Sequence, residues 1–390
     1  MKRGITGILS HNNESGELVR TFIPNPLPPN PPVILEGALQ LRFEKALLAC
    51  GRLDSITTFL PEPDLFLYTY VRREAVLSSQ IEGTQSSLSD LLMFEVDEFP
   101  GVPFDDVTEV SRYVAALDHG MQRLRSGFPL CNRLLREVHG ILLSQGRGQH
   151  LQPGEFRRSQ NWIGGTRPGN AAYVPPPPHE VEPCMAALER FLHEDASYSA
   201  LLKAAYAHVQ FETIHPFLDG NGRLGRLLIA LILHQEKVLR QPLLYLSLFF
   251  KTHRSHYYDL LTRVREEGDW EAWLNFFLEG VEVTATAVVE TTLQLLELFR
   301  KDRLRVEESG RAAANALRVF EGFLRRPINS INTLSIQTEL SFPTVARALE
   351  LLANQGIVKE ITGRQRGRLY VYTEYLELLN QGTDRPHRRG

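Results

Sequence analysis

The 390-residue chain predicts a mainly α fold, a helical main body followed by a C-terminal winged-helix domain. Two observations carry that expectation. Apolar residues recur at helical spacing over most of residues 35–310, while strand-like runs are almost absent before the C-terminus. Residues 317–380 then change texture and read as three short helices and a β-hairpin, the order of a winged helix. The composition agrees with a folded chain: 43% hydrophobic and 23% charged residues exclude wholesale disorder. At roughly 150 residues per domain, the length suggests two or three domains with a sizeable core.

Taken in order, the first ~35 residues read as an arm without a core, because NPLPPNPP at 25–32 favours extended polyproline II. Leu35, Leu39, Leu41, Phe43, Ala46, Leu47 and Leu48 then form an amphipathic helical face. Pro61 and Pro63 interrupt it, and Phe66–Gln80 is helical again. Asp105 to Leu202 reads as further helix, broken at 167–178 by RPGNAAYVPPPP. Just before that break NWIGG has the aromatic and glycine content of a short hairpin, and the flanking prolines suit an edge or flap. Residues 200–237 and 256–310 are strongly helical. In the last domain Ser341 is placed to cap the third helix and Gly356 to end it, and VKEITGRQRGRLYVYT forms the hairpin. The expected division is 1–100, a core at 101–285, a helical linker at 286–316 and the winged helix at 317–380.

Charge and cysteine content narrow the class further. With 43 Lys plus Arg against 46 Asp plus Glu, the net charge of −3 argues against a whole-chain polyanion binder. Residues 317–390 hold 11 basic and 7 acidic residues, a mildly basic +4. No run of 18 apolar residues suggests a transmembrane helix, and MKRGITGILSHNNESGE turns polar too soon for a secretory signal. Cys50, Cys131 and Cys184 are far apart and show no CxxC spacing, so neither a disulfide framework nor a zinc site is expected. A reducing cytoplasm and no membrane partner follow as expectations.

The run that carries chemistry is His215–Arg226, HPFLDGNGRLGR. A histidine ends one helix, the next begins around Arg223, and Asp219-Gly220-Asn221-Gly222 lies between them. Two glycines flanking an asparagine let consecutive N–H groups converge on one concavity. At a helix N-terminus that concavity favours an anion. Arg223 and Arg226, three apart on one helical face, can fork onto phosphate oxygens. Asp219 is a hard oxygen ligand suited to magnesium, and His215 titrates near neutrality and is the candidate base. Apart, HPF is a helix stop and DGNG a turn. Contiguous, the twelve residues make a nucleotide-phosphate cradle with a base at its lip.

HPFLDGNGRLGR resembles the signature of Fic-domain proteins, HxFx(D/E)GNGRxxR, at every position. SSQIEGTQSS at 78–87 is similar to the family's inhibitory motif, (S/T)xxxE(G/N), through Ser78, Glu82 and Gly83. GEFRRSQNWIGG at 154–165 resembles the lead-in and flap over the active site, and HYYDLLTRVREEGDWEAWLNFFL at 256–278 the helix pair closing the nucleotide site. The resemblance covers most of residues 35–375 and matches the bacterial subgroup whose inhibitory helix precedes the core and whose C-terminus is a winged helix.

The resemblance implies a Fic helical core with a β-hairpin flap, and transfer of AMP from ATP to a protein hydroxyl with release of diphosphate. By that likeness His215 would deprotonate the hydroxyl. Asp219 would hold magnesium against the phosphates, the Gly220, Asn221 and Gly222 amides would stabilise charge there, and Arg223 and Arg226 would bind the phosphate chain. Gly222-Arg223 matches the AMP-transferring form rather than the lysine-bearing phosphorylating one. Tyr257 and Tyr258 would line the adenine end, although adjacent helical residues cannot both face one pocket. Gln210 is a further ATP-binding candidate, with a helix-surface position as its plainer reading. Glu82 would pair with Arg226 and occupy the γ-phosphate position, and Trp162, Ile163 and Gly164 would dock an extended target segment by strand addition.

Other readings stay open at this level. The winged helix, with Arg347, Arg364, Arg366 and Arg368, is compatible with a nucleotide-sensing transcriptional regulator on DNA, though many such domains bind proteins and +4 is a weak footprint. The family also runs the reverse reaction, removal of AMP, and Glu82 is compatible with it. The target protein, self-modification and a homodimer are left undecided.

Overall fold

The computed structural model describes residues 2–14, 17–57, 63–97, 104–194, 198–380 and 383. The chain opens with an antiparallel hairpin, β1 (Gly7–Glu14) and β2 (Glu17–Pro24), in which Gly7 pairs with Pro24. Helices α1 (Gly37–Thr57), α2 (Pro63–Ile81), α3 (Leu88–Asp97), α4 (Phe104–Arg125) and α5 (Asn132–Leu142) follow. After an irregular stretch come α6 (Pro178–Glu194), α7 (Ala200–Ile214), α8 (Asn221–Gln235), α9 (Ser247–Thr252), α10 (Arg254–Glu267) and the long α11 (Trp270–Glu307). The C-terminal part runs α12 (Ala313–Arg325), β3 (Ile328–Ser330), α13 (Ile331–Thr338), α14 (Phe342–Asn354), β4 (Val358–Glu360), β5 (Leu369–Tyr372) and α15 (Thr373–Asn380). The fold is mainly α, as expected. The boundary expected at 100/101 lies outside the described residues.

The N-terminal hairpin corrects the expectation of an arm. Leu18 and Arg20 are exposed while Val19 and Thr21 on the opposite face are buried, and from Phe22 onward the first face is covered as well, so β2 is packed into the protein as a strand and not left as an arm. The prolines that signalled an extended arm begin only where β2 ends. The expected face of α1 is also displaced. Ala46, Ala49, Cys50 and Leu53 are buried at i, i+3, i+4 and i+7, whereas Leu41, Leu47 and Leu48 are exposed. Among the described residues one helix, Trp270–Glu307, is long and apolar enough by composition to cross a membrane, but half of its most apolar window is buried inside the protein. A buried core helix passes the same test.

The chain divides into two compact units: Met1–Asp54 with Ser111–Ala285, and Ser55–Val110 with Thr286–Gly390. At the centre of the first, α7 and α8 pack along one another. From Leu201 to Ile214 every residue of α7 is buried, and α8 is almost as enclosed, so both are core helices, and their polar side chains, Lys203, His208, Gln210, Glu212, Arg223 and Arg226 among them, are buried with the apolar ones. Around them Phe250, Tyr257, Trp273, Phe276 and His208 form a buried ring cluster, and Trp273 donates its indole N–H to Ala205 O at 2.9 Å.

In the second unit α12, α13 and α14 pack on a three-stranded sheet of order β3-β5-β4, all pairs antiparallel. The three helices and the β4–β5 pair were expected there, and the strand β3 was not. Tyr372 on β5 donates to Asp302 Oδ2 on α11 at 2.7 Å. The last helix, α15, lies against α2 and α3. Gln80 donates to Thr383 O at 3.1 Å and Asn380 to Ser89 Oγ at 3.1 Å.

Candidate active site

The junction of α7 and α8 gathers His215, Asp219, Gly220, Asn221, Gly222, Arg223 and Arg226 into one turn. Helix α7 ends at Ile214, and His215 caps it in the left-handed region at φ 49 and ψ 60, its N–H donating to Phe211 O at 2.9 Å. A non-glycine residue takes that conformation only where its surroundings hold it. Gly220 at φ 78 is the N-cap of α8, so that helix starts at Asn221, two residues earlier than expected. The first backbone bond of α8 is Leu224 N–H to Gly220 O, which leaves the Asn221, Gly222 and Arg223 amides at the open, positive end of the helix.

The Asn221 side chain has a task of its own in the loop. Its Oδ1 accepts Phe217 N–H at 2.9 Å and its Nδ2 donates to Phe217 O at 2.8 Å, clamping the loop shut from inside. Asp219 stays partly exposed, with its Oδ2 3.6 Å from Arg223 Nη2. Arg223 and Arg226 are buried, at 1% and 4% exposure, which concentrates positive charge along one face of the first turns of α8. His215, Asp219 and Gly222 are half-buried and can be reached from solvent.

Residues outside the signature hold this turn in place. His139 on α5 stacks on Phe217 with ring centroids 3.7 Å apart. Gly154 N–H donates to His139 Nδ1 at 2.8 Å, so Nε2 carries the proton and donates to Asp219 O at 2.9 Å. Burial pushes this histidine down to about 4, consistent with a neutral ring. His208 on α7 has the same character. Nδ1 donates to Gly225 O at 2.9 Å, Nε2 accepts Tyr257 O–H at 2.8 Å, and burial with the nearby Arg226 charge lowers it to about 4. Gly225 lies in this close packing, where a Cβ would force the Glu212 carboxylate to shift and press on the Phe211 ring. Arg157, in the GEFRR run, and Asn161 donate to loop carbonyls as well. Of these four, only Arg157 and Asn161 lie in a run that the sequence singled out. His139 and His208 carry no local signal, because their partners are distant in the chain.

Trp162, Ile163 and Gly164 sit at the exposed tip above the turn, at 39% and 37% exposure for the first two. The expected hairpin is reduced to a single antiparallel bridge, Ile163 with Tyr173, closed by a tight turn at Pro168–Asn170. Three glycines and two prolines in 164–175 leave no room for a longer ladder. Tyr173 O–H donates to Thr213 O at 2.7 Å, and Phe22 N–H donates to Val174 O at 3.0 Å, so β2 buttresses this flap.

The remaining candidates separate. Tyr257 is 1% exposed and committed to His208, whereas Tyr258 is 40% exposed on the other face of α10. Gln210 is neither at the turn nor on a helix surface. It is buried, and its Nε2 donates to Asn25 O at 3.0 Å, tying the segment after β2 to α7. Ser78, Glu82 and Gly83 belong to the second unit. Ser78 is fully buried in α2, Glu82 is half-buried in the turn just past the end of that helix, and Gly83 continues the turn at φ +102. Glu82 N–H donates to Ser79 O at 3.0 Å, so this glutamate stands on a tight turn instead of a helix surface. Among the described residues no group of three or more His, Cys, Asp and Glu side chains could hold a metal by itself.

Residues 41–122 match the family model described as Fic/DOC family N-terminal, and residues 129–233 match that of the Fic/DOC family. The chain is 33% identical over 163 residues to "Protein adenylyltransferase Fic" of Culex quinquefasciatus, covering 41% of this chain and 29% of that protein. It is 34% identical over 161 residues to the protein of the same name from Drosophila persimilis, covering 41% and 28%. The chain therefore spans less than a third of the length of these curated relatives. A crystal structure of a Fic family protein from Desulfovibrio desulfuricans G20 shares the fold at a TM-score of 0.54 and 20% identity, over 85% of this chain and 96% of that one.

Proposed function

We propose that this chain is an autoinhibited protein adenylyltransferase, a reading that starts from the match of residues 41–122 and 129–233 to the Fic/DOC family models. The observation that supports it best is the geometry of the α7–α8 turn. One left-handed histidine, one partly exposed aspartate, the open amides of a helix N-terminus and two buried arginines converge within twelve residues.

In this reading the triphosphate of ATP lies over the first turn of α8. The Asn221 and Gly222 amides and the Arg223 and Arg226 guanidiniums face its oxygens. A hydroxyl of a target protein, or of this chain itself, approaches along the flap edge at Ile163. His215 takes the hydroxyl proton, the freed oxygen bonds to the α-phosphorus, and the bond from that phosphorus to the bridging oxygen of the β-phosphate breaks, releasing diphosphate. Catalysis is mostly positioning and charge stabilisation, as in phosphoryl transfer generally. The donor set also fits magnesium, which commonly takes one or two carboxylates together with substrate phosphates. Asp219 would hold it, and the ion would neutralise charge on the phosphate oxygens. Glu82 supplies the inhibition by competing with the γ-phosphate for Arg226, a contest between carboxylate and phosphate for one guanidinium.

The test is intact-mass measurement after incubating wild type, Glu82→Gly and His215→Ala with magnesium and ATP, alone and with cell lysate. Glu82→Gly gains AMP or labels a target at least tenfold faster than wild type, and His215→Ala shows neither. Equal rates in wild type and Glu82→Gly would sink the inhibition, and an active His215→Ala would sink the base.

A further inference from the structure

We infer that Arg157 is a positioning residue that sets the backbone on which His215 stands and fastens the flap to that same backbone. The inference rests on the adenylyl-transfer reading above for its kinetic consequence, though not for its structural one.

Arg157 lies between α5 and the flap and is 2% exposed. Its Nε donates to His215 O at 2.9 Å. Its Nη2 donates to Pro176 O at 2.6 Å and reaches Ile214 O at 3.4 Å, its Nη1 reaches Ser159 O at 3.4 Å, and its own N–H donates to Pro216 O at 2.9 Å. The Ile214 and His215 carbonyls are orphan acceptors at the C-terminus of α7, where the macrodipole favours a cation. Burial lowers the Arg157 pKa to about 10, so the guanidinium remains charged at neutral pH. A buried cation satisfied by carbonyl dipoles is thus the cap of the helix that presents the base.

The same guanidinium reaches both ends of the flap, because Ser159 precedes and Pro176 follows the 160–175 segment. Asn161 adds a second tie, donating from Nδ2 to Phe217 O at 2.9 Å and reaching His215 O at 3.4 Å. Flap and catalytic turn therefore share one set of hydrogen bonds. A target segment paired along Ile163 loads the carbonyl that orients the histidine. Lysine cannot replace this arrangement, since its ammonium is a point donor without the planar fork.

Hydrogen–deuterium exchange of the full chain, wild type against Arg157→Lys without nucleotide, tests the tie directly. Peptides from 160–175 and from 214–219 gain exchange together, while the body of α8 and α10 stays protected. In the Glu82→Gly background Arg157→Lys lowers kcat for AMP transfer by roughly 10- to 100-fold, the scale expected for a misplaced reacting group, and leaves KM for ATP within about twofold. Exchange rising in only one of the two segments, or in neither, overturns the proposal. So does a loss of ATP affinity in step with kcat, which a scaffold role alone predicts. If Arg157→Lys does not fold, Asn161→Ala is read by the same criteria, with a loss of about 3- to 10-fold in kcat. A Glu82→Gly parent that transfers no AMP counts against the adenylyltransferase reading alone, and the exchange comparison still decides this one.

Discussion

His139 and His208 are buried neutral rings, and that makes them residue-scale determinants of pH stability. Their folded-state values of about 4 lie below the ordinary value of 6.5, so between those limits the unfolded chain binds more protons than the folded one. Stability from each is complete above about pH 6.5 and is lost as the pH falls toward 4, on the order of 3 kcal/mol per histidine. Urea unfolding followed from pH 7 to 4.5 shows a falling midpoint, and a flat profile would contradict the burial argument. Gly225 is a second case. Alanine normally gains up to ~1 kcal/mol over glycine in a helix, but the collision with Glu212 and the Phe211 ring turns the sign. Gly225→Ala lowers the unfolding free energy by about 1–2 kcal/mol, measured by the same method. At this scale the residues of the α7–α8 turn were legible because they are contiguous in the chain. The roles of Asn221 and Gln210 were not, since each depends on which carbonyl stands opposite.

Elements show the next level of dependence. The flap has one bridge of its own and borrows order from the N-terminal hairpin through Phe22 N–H to Val174 O and the Arg167–Glu17 ion pair. Phe22 is 5% exposed and its ring lies 6.3 Å from that of Tyr173. Phe22→Ala removes that packing, so the Ile163 and Tyr173 amides exchange faster while α7 and α8 remain protected. Unchanged exchange at those amides would show the hairpin to be no buttress. A groove of about 320 Å³ lined by Leu9, Leu18, Arg20, Ala172 and Arg265 lies where hairpin, flap and α10 meet. The helices were readable from periodicity, yet the buried face of α1 was misjudged. Leu41, Leu47 and Leu48 satisfy an amphipathic pattern as well as Ala46, Ala49 and Leu53 do, and only the neighbours choose between them.

At the scale of the whole molecule, contacts join stretches far apart in the chain. Residues 55–110, which include the Glu82 turn, fold with residues 286–390. Within that unit α15 supports α2 and α3 through Thr69–Tyr375 at 3.5 Å and Asn380–Ser89, and Thr383 just beyond it accepts from Gln80. Truncation before Thr373 therefore raises exchange in α2, α3 and the Glu82 turn, and leaves the α7–α8 pair as protected as before. Protection of residues 63–97 that survives the truncation would refute the dependence. The sequence reading set out four consecutive segments, because a linear pattern carries no signal for a unit assembled from two separated pieces.

Local chemistry determined what could be read directly: a mainly helical chain, a glycine-rich turn between two helices at 215–226, and a terminal helix-and-hairpin module. Each is written in residues that are neighbours in the chain, so spacing alone reports it. The tertiary structure decided which apolar face is buried, that the N-terminal segment is a hairpin, to which unit the Glu82 turn belongs, and which side chains clamp the α7–α8 turn. Those outcomes come from hydrogen bonds and burial between residues tens to hundreds of positions apart, and their free energy depends on a partner that no local pattern names.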